Sequence, residues 1–407
     1  MEHKKNLLLM VPMLHQGGFE RVCVQTARLL AEDFSVTVLI FTDKDIHYDV
    51  SGIEIVNIDV PSVKSRAGKI LNLIKRICRV RRVKKERKID LSYSFGSSAN
   101  YVNVLSRGRE KVLTGIRCQT DVENRKEVSL FVKKSDLVLS CSREILRELR
   151  RDFACEKSAY LYNPLDMPAI QEKSKEESFC LPFPDLKQAR EAGEENALLV
   201  SMGRDDTIKG FWHLIKAFYL VRKRIPHAAL LILGAGSFDR ARELTRQLGI
   251  EEQVFFAGAM KNPFPAIAQA DLYVLSSNHE GFPNALLEAM ALGKPIVASD
   301  CKTGPREILL SEEEYEELIG KQPDGSTVRE IKEGSYGILV PDMSAQDDYD
   351  GTRITGEDEK LAEAICRMFL DREKMAFYAD KAGERAQSYL PCKYRRDLVR
   401  ILNGIVS

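Results

Sequence analysis

The chain has 407 residues, beyond the size at which one hydrophobic core keeps growing, so two domains of roughly 150 to 200 residues are expected. Apolar residues make up 44% and charged residues 30%, with no low-complexity tract, a composition that excludes a disordered or fibrous chain. The formal net charge of +1 hides an asymmetry: residues 1–165 carry 30 Lys and Arg against 20 Asp and Glu, a net of +10, which leaves 31 against 40, or −9, for the remainder.

In chain order, NLLLMVPM is a short apolar strand, followed by Gly17 and Gly18 and by GFERVCVQTARLLAED with helical spacing. FSVTVLIFT is a second strand. Residues 64–88, KSRAGKILNLIKRICRVRRVKKERK, hold 12 Lys or Arg against the single Glu86. Ile70, Leu73, Ile74, Ile77 and Val80 fall on one face of that helix, between cationic flanks. Such a helix either lies on an anionic bilayer or packs its stripe on a sheet and solvates its charges. DLSYSF and DLVLSCS are further strands, and SREILRELRRDF is a helix.

After LYNPLD at 161–166 the pattern lapses, and it restarts with ALLVSMG, AALLILGAG, QVFFAG, DLYVLSS and PIVASD. Strands alternating with helices predict a parallel sheet wrapped by crossover helices, built twice. The expected boundaries are an N-terminal domain at 1–165, a linker at 166–195 and a C-terminal domain at 196–389, with the last helix, about 390–407, completing the first domain. The segment from Leu309 to Asp342 reads as a helical and loop excursion before a last strand, YGILV, and the rest reads as helical. No apolar run is long enough to span a bilayer and no signal-peptide cleavage site is present, so a cytoplasmic protein is expected. The nine cysteines form no C-x-x-C pair, which points to buried free thiols rather than a zinc site or a disulfide framework.

Ligands of open α/β sheets sit at the carboxyl ends of the strands, and two such units facing each other leave a cleft there. Gly17, Gly18, Gly203, Gly234, Gly236 and Gly281 all fall at such strand ends. A tight strand-to-helix turn needs glycine whether or not a ligand binds, so each alone is a weak signal. GRDDTIKG at 203–210 says more, because Arg204 and Lys209 follow a strand end at a spacing that lets both cations meet one diphosphate. It is not a P-loop. SSNHEGFPNALLEAM at 276–290 places Glu280 in a turn and Glu288 about one turn into a helix ended by Gly293. Amides at that helix start, at Asn284, favour an anion, and carboxylates beside a phosphate site serve best as acceptors from neutral hydroxyls. A glutamate at a helix start also serves simply to compensate the dipole.

These stretches, with CKTGPREIL, LLILGAGSF and GGFERV, closely resemble family 4 of the retaining glycosyltransferases of GT-B fold. The resemblance implies two Rossmann-like doubly wound domains facing a central cleft, an N-terminal one for the acceptor and a C-terminal one for the nucleotide-sugar donor. It implies that Glu280 contacts hydroxyls of the transferred sugar, Glu288 the ribose, and Arg204 with Lys209 the diphosphate. Gly17 and Gly18 would close over the phosphates, and backbone groups at Gly281, Phe282 and Pro283 would approach the donor. Many members carry a His after an N-domain strand; here VLTGIRCQTD offers Arg117 instead. That resembles a subgroup extending lipid-linked oligosaccharides, capsules and lipopolysaccharide cores with N-acetylgalactosamine, galactose or glucose. The expected partners are a UDP-sugar, a glycan or polyprenyl-diphosphate-linked acceptor, and, through residues 64–88, the anionic inner face of the membrane. No cofactor or metal is expected, since leaving-group charge would fall to Arg204, Lys209 and the helix at Asn284. A same-fold epimerase or phosphorylase is the alternative. A nucleic-acid-binding protein, suggested by the basic half, lacks an RNA motif or aromatic platform.

Overall fold

The computed structural model describes residues 4–15, 17–176, 179–322 and 325–406. The chain divides into two compact units, one formed by Met1–Pro164 with Tyr389–Ser407, the other by Leu165–Ser388.

In the first unit seven strands form one sheet in the order β3-β2-β1-β4-β5-β6-β7. They are β1 Asn6–Val11, β2 Ser35–Ile40, β3 Glu54–Asn57, β4 Leu91–Phe95, β5 Lys111–Ile116, β6 Leu137–Ser140 and β7 Ser158–Tyr160. Every pairing is parallel. Leu7, Leu9, Val11, Leu91, Tyr93 and Phe95 bury one face of the sheet under the helix Gly18–Leu30. Leu8, Met10 and Leu39 bury the other under the helix Arg66–Glu86. Burial on both faces is why these strands read as continuous apolar runs. The final helix, Pro391–Val406, belongs to this unit: Tyr394, Leu398 and Leu402 enter its core, and the Tyr394 and Thr26 hydroxyls lie 2.7 Å apart.

The second unit repeats the plan in the order β10-β9-β8-β11-β12-β14-β13. Its strands are β8 Asn196–Met202, β9 His227–Leu233, β10 Val254–Gly258, β11 Leu272–Leu275, β12 Ile296–Ser299, β13 Lys332–Gly334 and β14 Gly337–Val340. All pair parallel except β13 with β14. The doubly wound architecture read from the sequence is therefore present twice.

Two readings need correction. The stretch 166–195 is not a free linker: helices Met167–Lys173 and Pro184–Ala192 bury Ile170, Leu186 and Ala189, and Gln171 bonds Ala291 O at 3.0 Å. Two helices of under three turns, one capped by the Asp166 side chain and the other opening after Phe183, are too short to show a period. Glu177 and Ser178 of that stretch lie outside the described residues. The excursion after Leu309 also holds an unexpected edge strand, β13, which its Lys, Glu and Gly composition concealed.

The apolar stripe of the basic helix is split. Leu73 and Val80 turn into the core, whereas Ile70 and Ile74 are 64% and 53% exposed, beside Leu71 at 52%. Its charges are split too. Lys84 is buried with Glu110 at 2.8 Å, Arg76 lies over the Phe41 ring, and Arg79 donates to Ile58 O and Asp59 O.

Candidate active site

In the second unit two loops meet at the carboxyl ends of β8 and β11. The turn after β8 runs through Gly203, Arg204 and the single turn Thr207–Lys209, capped by the Asp206 side chain. The loop after β11 runs from Ser276 to Pro283 and opens the helix Asn284–Ala291. Backbone and side chain fasten the two: Asn278 N donates to Ile208 O at 2.9 Å, Asn278 Nδ2 to Thr207 O at 3.0 Å, and Ser276 Oγ to Lys209 O at 3.0 Å. Gly210 permits this approach, with φ of 57° and a position where a Cβ would stand 2.2 Å from Ser276 O.

The fastening delivers Lys209 Nζ to 2.6 Å from Glu280 Oε1, which also accepts from Ser277 Oγ at 2.7 Å. Both partners are largely screened from solvent. A carboxylate held by an ammonium and a hydroxyl in such a setting is fixed in place. Glu288 is buried in the helix that follows. Burial raises the Tyr273 phenol above its ordinary range, and the Glu280 and Glu288 carboxylates both add to the effect. Gly281, Phe282 and Pro283 are buried between them and Asn284 begins the helix, whose dipole favours an anion at that end.

A third loop supports this one from behind. Thr303 Oγ1 donates to Glu280 O, and Gly304, at φ 93°, lies where a Cβ would come 2.6 Å from Pro283 Cδ. The loop is anchored by a fully buried fork: Arg306 Nε and Nη2 donate to Asp300 Oδ1 and Oδ2 at 2.8 and 2.7 Å. Asp300 also accepts from Val328 N at 2.7 Å. Cys301, behind Glu280, is buried, and burial with the Glu280 charge drives its thiol well above the usual range, so it stays a neutral packing group.

Gly203 lies against the Lys209 side chain, and a Cβ there would stand 3.0 Å from its methylenes. Gly234, at φ 143°, packs on Gly203: a Cβ would be 1.8 Å from Gly203 O. Gly236 packs likewise on Asp205. Gly234 and Gly236 are required by the interlocking of two turns. The expected convergence of Arg204 and Lys209 is not what the side chains show. Lys209 is committed to Glu280, while Arg204 is 65% exposed and approaches Asp206 at 3.7 Å. Side chains at the two ends of a turn take the partners nearest each end.

In the first unit Gly17 caps the helix that begins at Gly18. Its φ of −156° suits any residue, and a Cβ there would stand 2.1 Å from Glu20 Oε2, so a side chain at 17 would require the Glu20 carboxylate to move. Arg117, which stands where many members of the family carry a His, is buried in the first unit, donates to Asn163 Oδ1 and lies 5.6 Å from the Phe95 ring centroid. Burial opposes its charge while the neighbouring Tyr93 and Tyr394 phenols favour it. A single arginine after a strand carries no sign of which way it points.

Sequence reasoning missed Ser276, Ser277, Asn278 and Thr303. Their signal was the Ser and Asn cluster ahead of Glu280 and the TGP turn, both compositions that supply local hydrogen bonds. The expectation of buried thiols fails at Cys78, Cys180 and Cys392, which are exposed. Among the described residues no group of three or more His, Cys, Asp or Glu could hold a metal ion, and no helix is long and apolar enough to cross a membrane.

Residues 182–333 match the family described as glycosyl transferases group 1. Over its whole length the chain is similar to the N-acetylgalactosamine-N,N'-diacetylbacillosaminyl-diphospho-undecaprenol 4-alpha-N-acetylgalactosaminyltransferase of Campylobacter jejuni, 25% identical over 98% of this chain and 100% of that one. An uncharacterized glycosyltransferase of Methanocaldococcus jannaschii is 28% identical over 68% of this chain, a match spanning 65% of that relative. The fold is shared with Anabaena HepE, solved with UDP and glucose, at a TM-score of 0.70 and 19% identity, covering 98% of this chain and 100% of that one. Sucrose-phosphate synthase from Thermosynechococcus elongatus superposes at 0.73 with 16% identity, covering 99% of each chain.

Proposed function

We propose, from the premise that this chain is a glycosyltransferase of group 1, that it moves a hexose or N-acetylhexosamine from a UDP-sugar to a glycan carried on a polyprenyl diphosphate, with retention at the anomeric carbon. The observation that carries the reading is the Lys209–Glu280–Ser277 cluster at the carboxyl ends of β8 and β11, beside the start of the helix Asn284–Ala291. The Campylobacter relative, matched end to end and named for a diphospho-undecaprenol acceptor, supports the acceptor class, and the HepE complex with UDP supports the nucleotide.

In the proposed reaction the bond between the anomeric carbon and the diphosphate oxygen breaks, with its electron pair leaving on the nucleotide. The acceptor hydroxyl bonds the same face of that carbon, and its proton passes to the departing diphosphate oxygen. Charge therefore develops on the diphosphate, where Lys209, Arg204 and the amides opening the helix at Asn284 stabilise it, each donor contributing a few kcal/mol. Glu280 accepts from sugar hydroxyls and orients the anomeric carbon; Glu288 accepts from the ribose. The scheme uses no metal, and full turnover in EDTA is expected. Thermal shifts with a panel of nucleotide sugars test the donor: stabilisation by GDP-sugars and none by UDP-sugars overturns it. Release of an epimer or a sugar phosphate from nucleotide sugar without acceptor favours an epimerase or phosphorylase.

We also propose that the protein works at the anionic cytoplasmic face of the membrane through residues 64–88. Ile70, Leu71 and Ile74 stand exposed among the exposed cations Lys69, Lys75, Arg81 and Lys85, which suits an apolar insertion ringed by charge. Each basic residue near an anionic surface gains about 1 kcal/mol, an attraction weakened by salt. Sedimentation with anionic vesicles at low salt, absent with neutral vesicles and lost on replacing Lys69, Lys75, Arg81 and Lys85 by Gln, is the expected result. A protein that stays in solution with both vesicle types contradicts it.

A further inference from the structure

In the second unit the turn at Thr303 and Gly304 lies along one side of the chain from Glu280 to Pro283. Thr303 Oγ1 donates to Glu280 O at 2.5 Å. Beside it, a Cβ at Gly304 would stand 3.1 Å from Gly281 O and 2.6 Å from Pro283 Cδ. Thr303 is fully buried between two left-handed residues, Lys302 at φ 71° and Gly304 at φ 93°. A lysine in that conformation is strained. The strain is held by the anchors below: the fork of Arg306 on Asp300, and Thr303 N, which donates to Cys301 O at 2.8 Å.

A trans peptide points its carbonyl and its amide to opposite sides. With the Glu280 carbonyl committed to Thr303, the Gly281 N–H is turned away from that turn. Gly281 is buried and lies in no helix or strand, and among the described residues nothing accepts from its amide. A buried amide without an acceptor is rare and costly. This donor is next in the chain to the Glu280 carboxylate, an acceptor. A phosphate only accepts, and that carboxylate repels it, whereas a hydroxyl both accepts and donates and so can satisfy the two. Donor and acceptor together select a neutral hydroxyl, as on a sugar, over the diphosphate.

We infer that Thr303 is a positioning residue that fixes the Glu280–Gly281 peptide so that its amide meets a hydroxyl of the sugar carried by the nucleotide. The inference rests on the proposed reading of Glu280 as the carboxylate that orients that sugar. Thr303 does not touch the sugar; it acts through the peptide. Its effect therefore follows the sugar and not the nucleotide, which a general loosening of the fold does not imitate.

The test compares Thr303→Val and Thr303→Ser with the unaltered chain by calorimetric titration with UDP and with four UDP-sugars: UDP-glucose, UDP-galactose, UDP-N-acetylglucosamine and UDP-N-acetylgalactosamine. Valine keeps the shape and removes the hydroxyl, while serine keeps the hydroxyl. For the UDP-sugar that the unaltered chain binds most tightly, valine is expected to raise the dissociation constant about five-fold or more, with UDP changed by less than about two-fold. Serine is expected to stay within about two-fold of the unaltered chain for both ligands. Where valine prevents folding, Thr303→Ala takes its place with the same expectations. Equal weakening of UDP and UDP-sugar, no change in either, or a serine variant as weak as the valine one overturns the role of Thr303. Glu280→Gln probes the underlying reading. If it leaves UDP-sugar affinity and turnover untouched, or if the unaltered chain binds none of the four sugars, that reading fails. If Glu280→Gln weakens UDP-sugar binding while Thr303→Val does not, only the inference about Thr303 fails.

Discussion

Lys209 Nζ and Glu280 Oε1 lie 2.6 Å apart although 71 residues separate them in the chain. The contact joins a cation expected to meet phosphate to a carboxylate expected to meet sugar. Each group holds the other where its ligand would arrive, and Ser277 fixes the carboxylate from a second side. Glu280→Gln is expected to lower turnover by about ten-fold or more with UDP binding retained, whereas Lys209→Met costs about a hundred-fold in turnover by removing a charge from the leaving group. Combined, the two changes fall short of the product of their separate effects, because each already disrupts the pair. Steady-state kinetics on the three variants checks this.

Glu288 is buried in the helix Asn284–Ala291. Glu288→Ala is expected to weaken UDP binding itself, by about 1.5–3 kcal/mol if it accepts a hydrogen bond from the ribose. Calorimetry with UDP reads it directly, and slight, equal effects at Glu280 and Glu288 would mean that both only balance the helix dipole.

At Gly210 the backbone has φ of 57° and a Cβ would stand 2.2 Å from Ser276 O. Gly210→Ala therefore forces the turn Thr207–Lys209 away from the loop Ser276–Asn278. The strained left-handed residue alone costs about 1 kcal/mol, and the displaced backbone adds to it. Activity should fall further than stability does, because the Lys209–Glu280 distance depends on that seam. Parallel thermal melts and turnover measurements separate the two.

Lys84 and Glu110 form a buried pair in the first unit at 2.8 Å, and Lys84 Nζ also donates to Asn103 O and Oδ1 at 3.0 and 2.8 Å. Burial holds the Lys84 ammonium down to about 8 while Glu110 pulls it up. Lys84→Met leaves Glu110 buried without its partner and is expected to cost about 3–5 kcal/mol. Adding Glu110→Gln recovers part of the loss. Urea denaturation followed by circular dichroism shows both steps.

Burial pushes the Asp342 carboxyl up to about 7, with Asp300 and Glu357 adding to the rise and the Met343 amide and Arg306 opposing it. Its unfolded value is about 3.9. The folded state therefore binds the proton more tightly than the unfolded one, and stability is lost as pH rises from about 4 to about 7. Asp342→Asn removes that loss: the variant should melt higher than the unaltered chain at pH 8 and match it near pH 4. Trp212, the single tryptophan, is buried in the same unit and reports the transition by fluorescence.

The sequence by itself determined the doubly wound plan, because strands covered on both faces must be apolar throughout, and ALLVSM, AALLIL and LYVLS carry that requirement in their own composition. It determined the neighbourhood of Glu280, since a strand end, a turn and a helix start are local events. The tertiary structure decided what each side chain meets. Lys209 turns to Glu280 and not toward Arg204 because loops 71 residues apart are seamed through Asn278 and Ser276. Arg117 faces the interior because Asn163, 46 residues on, accepts from it there. The basic helix shows Ile70 and Ile74 outward and Leu73 and Val80 inward because the sheet beneath it reaches only part of its stripe. Periodicity fixes which residues share a face; only the packed neighbour fixes whether that face is covered.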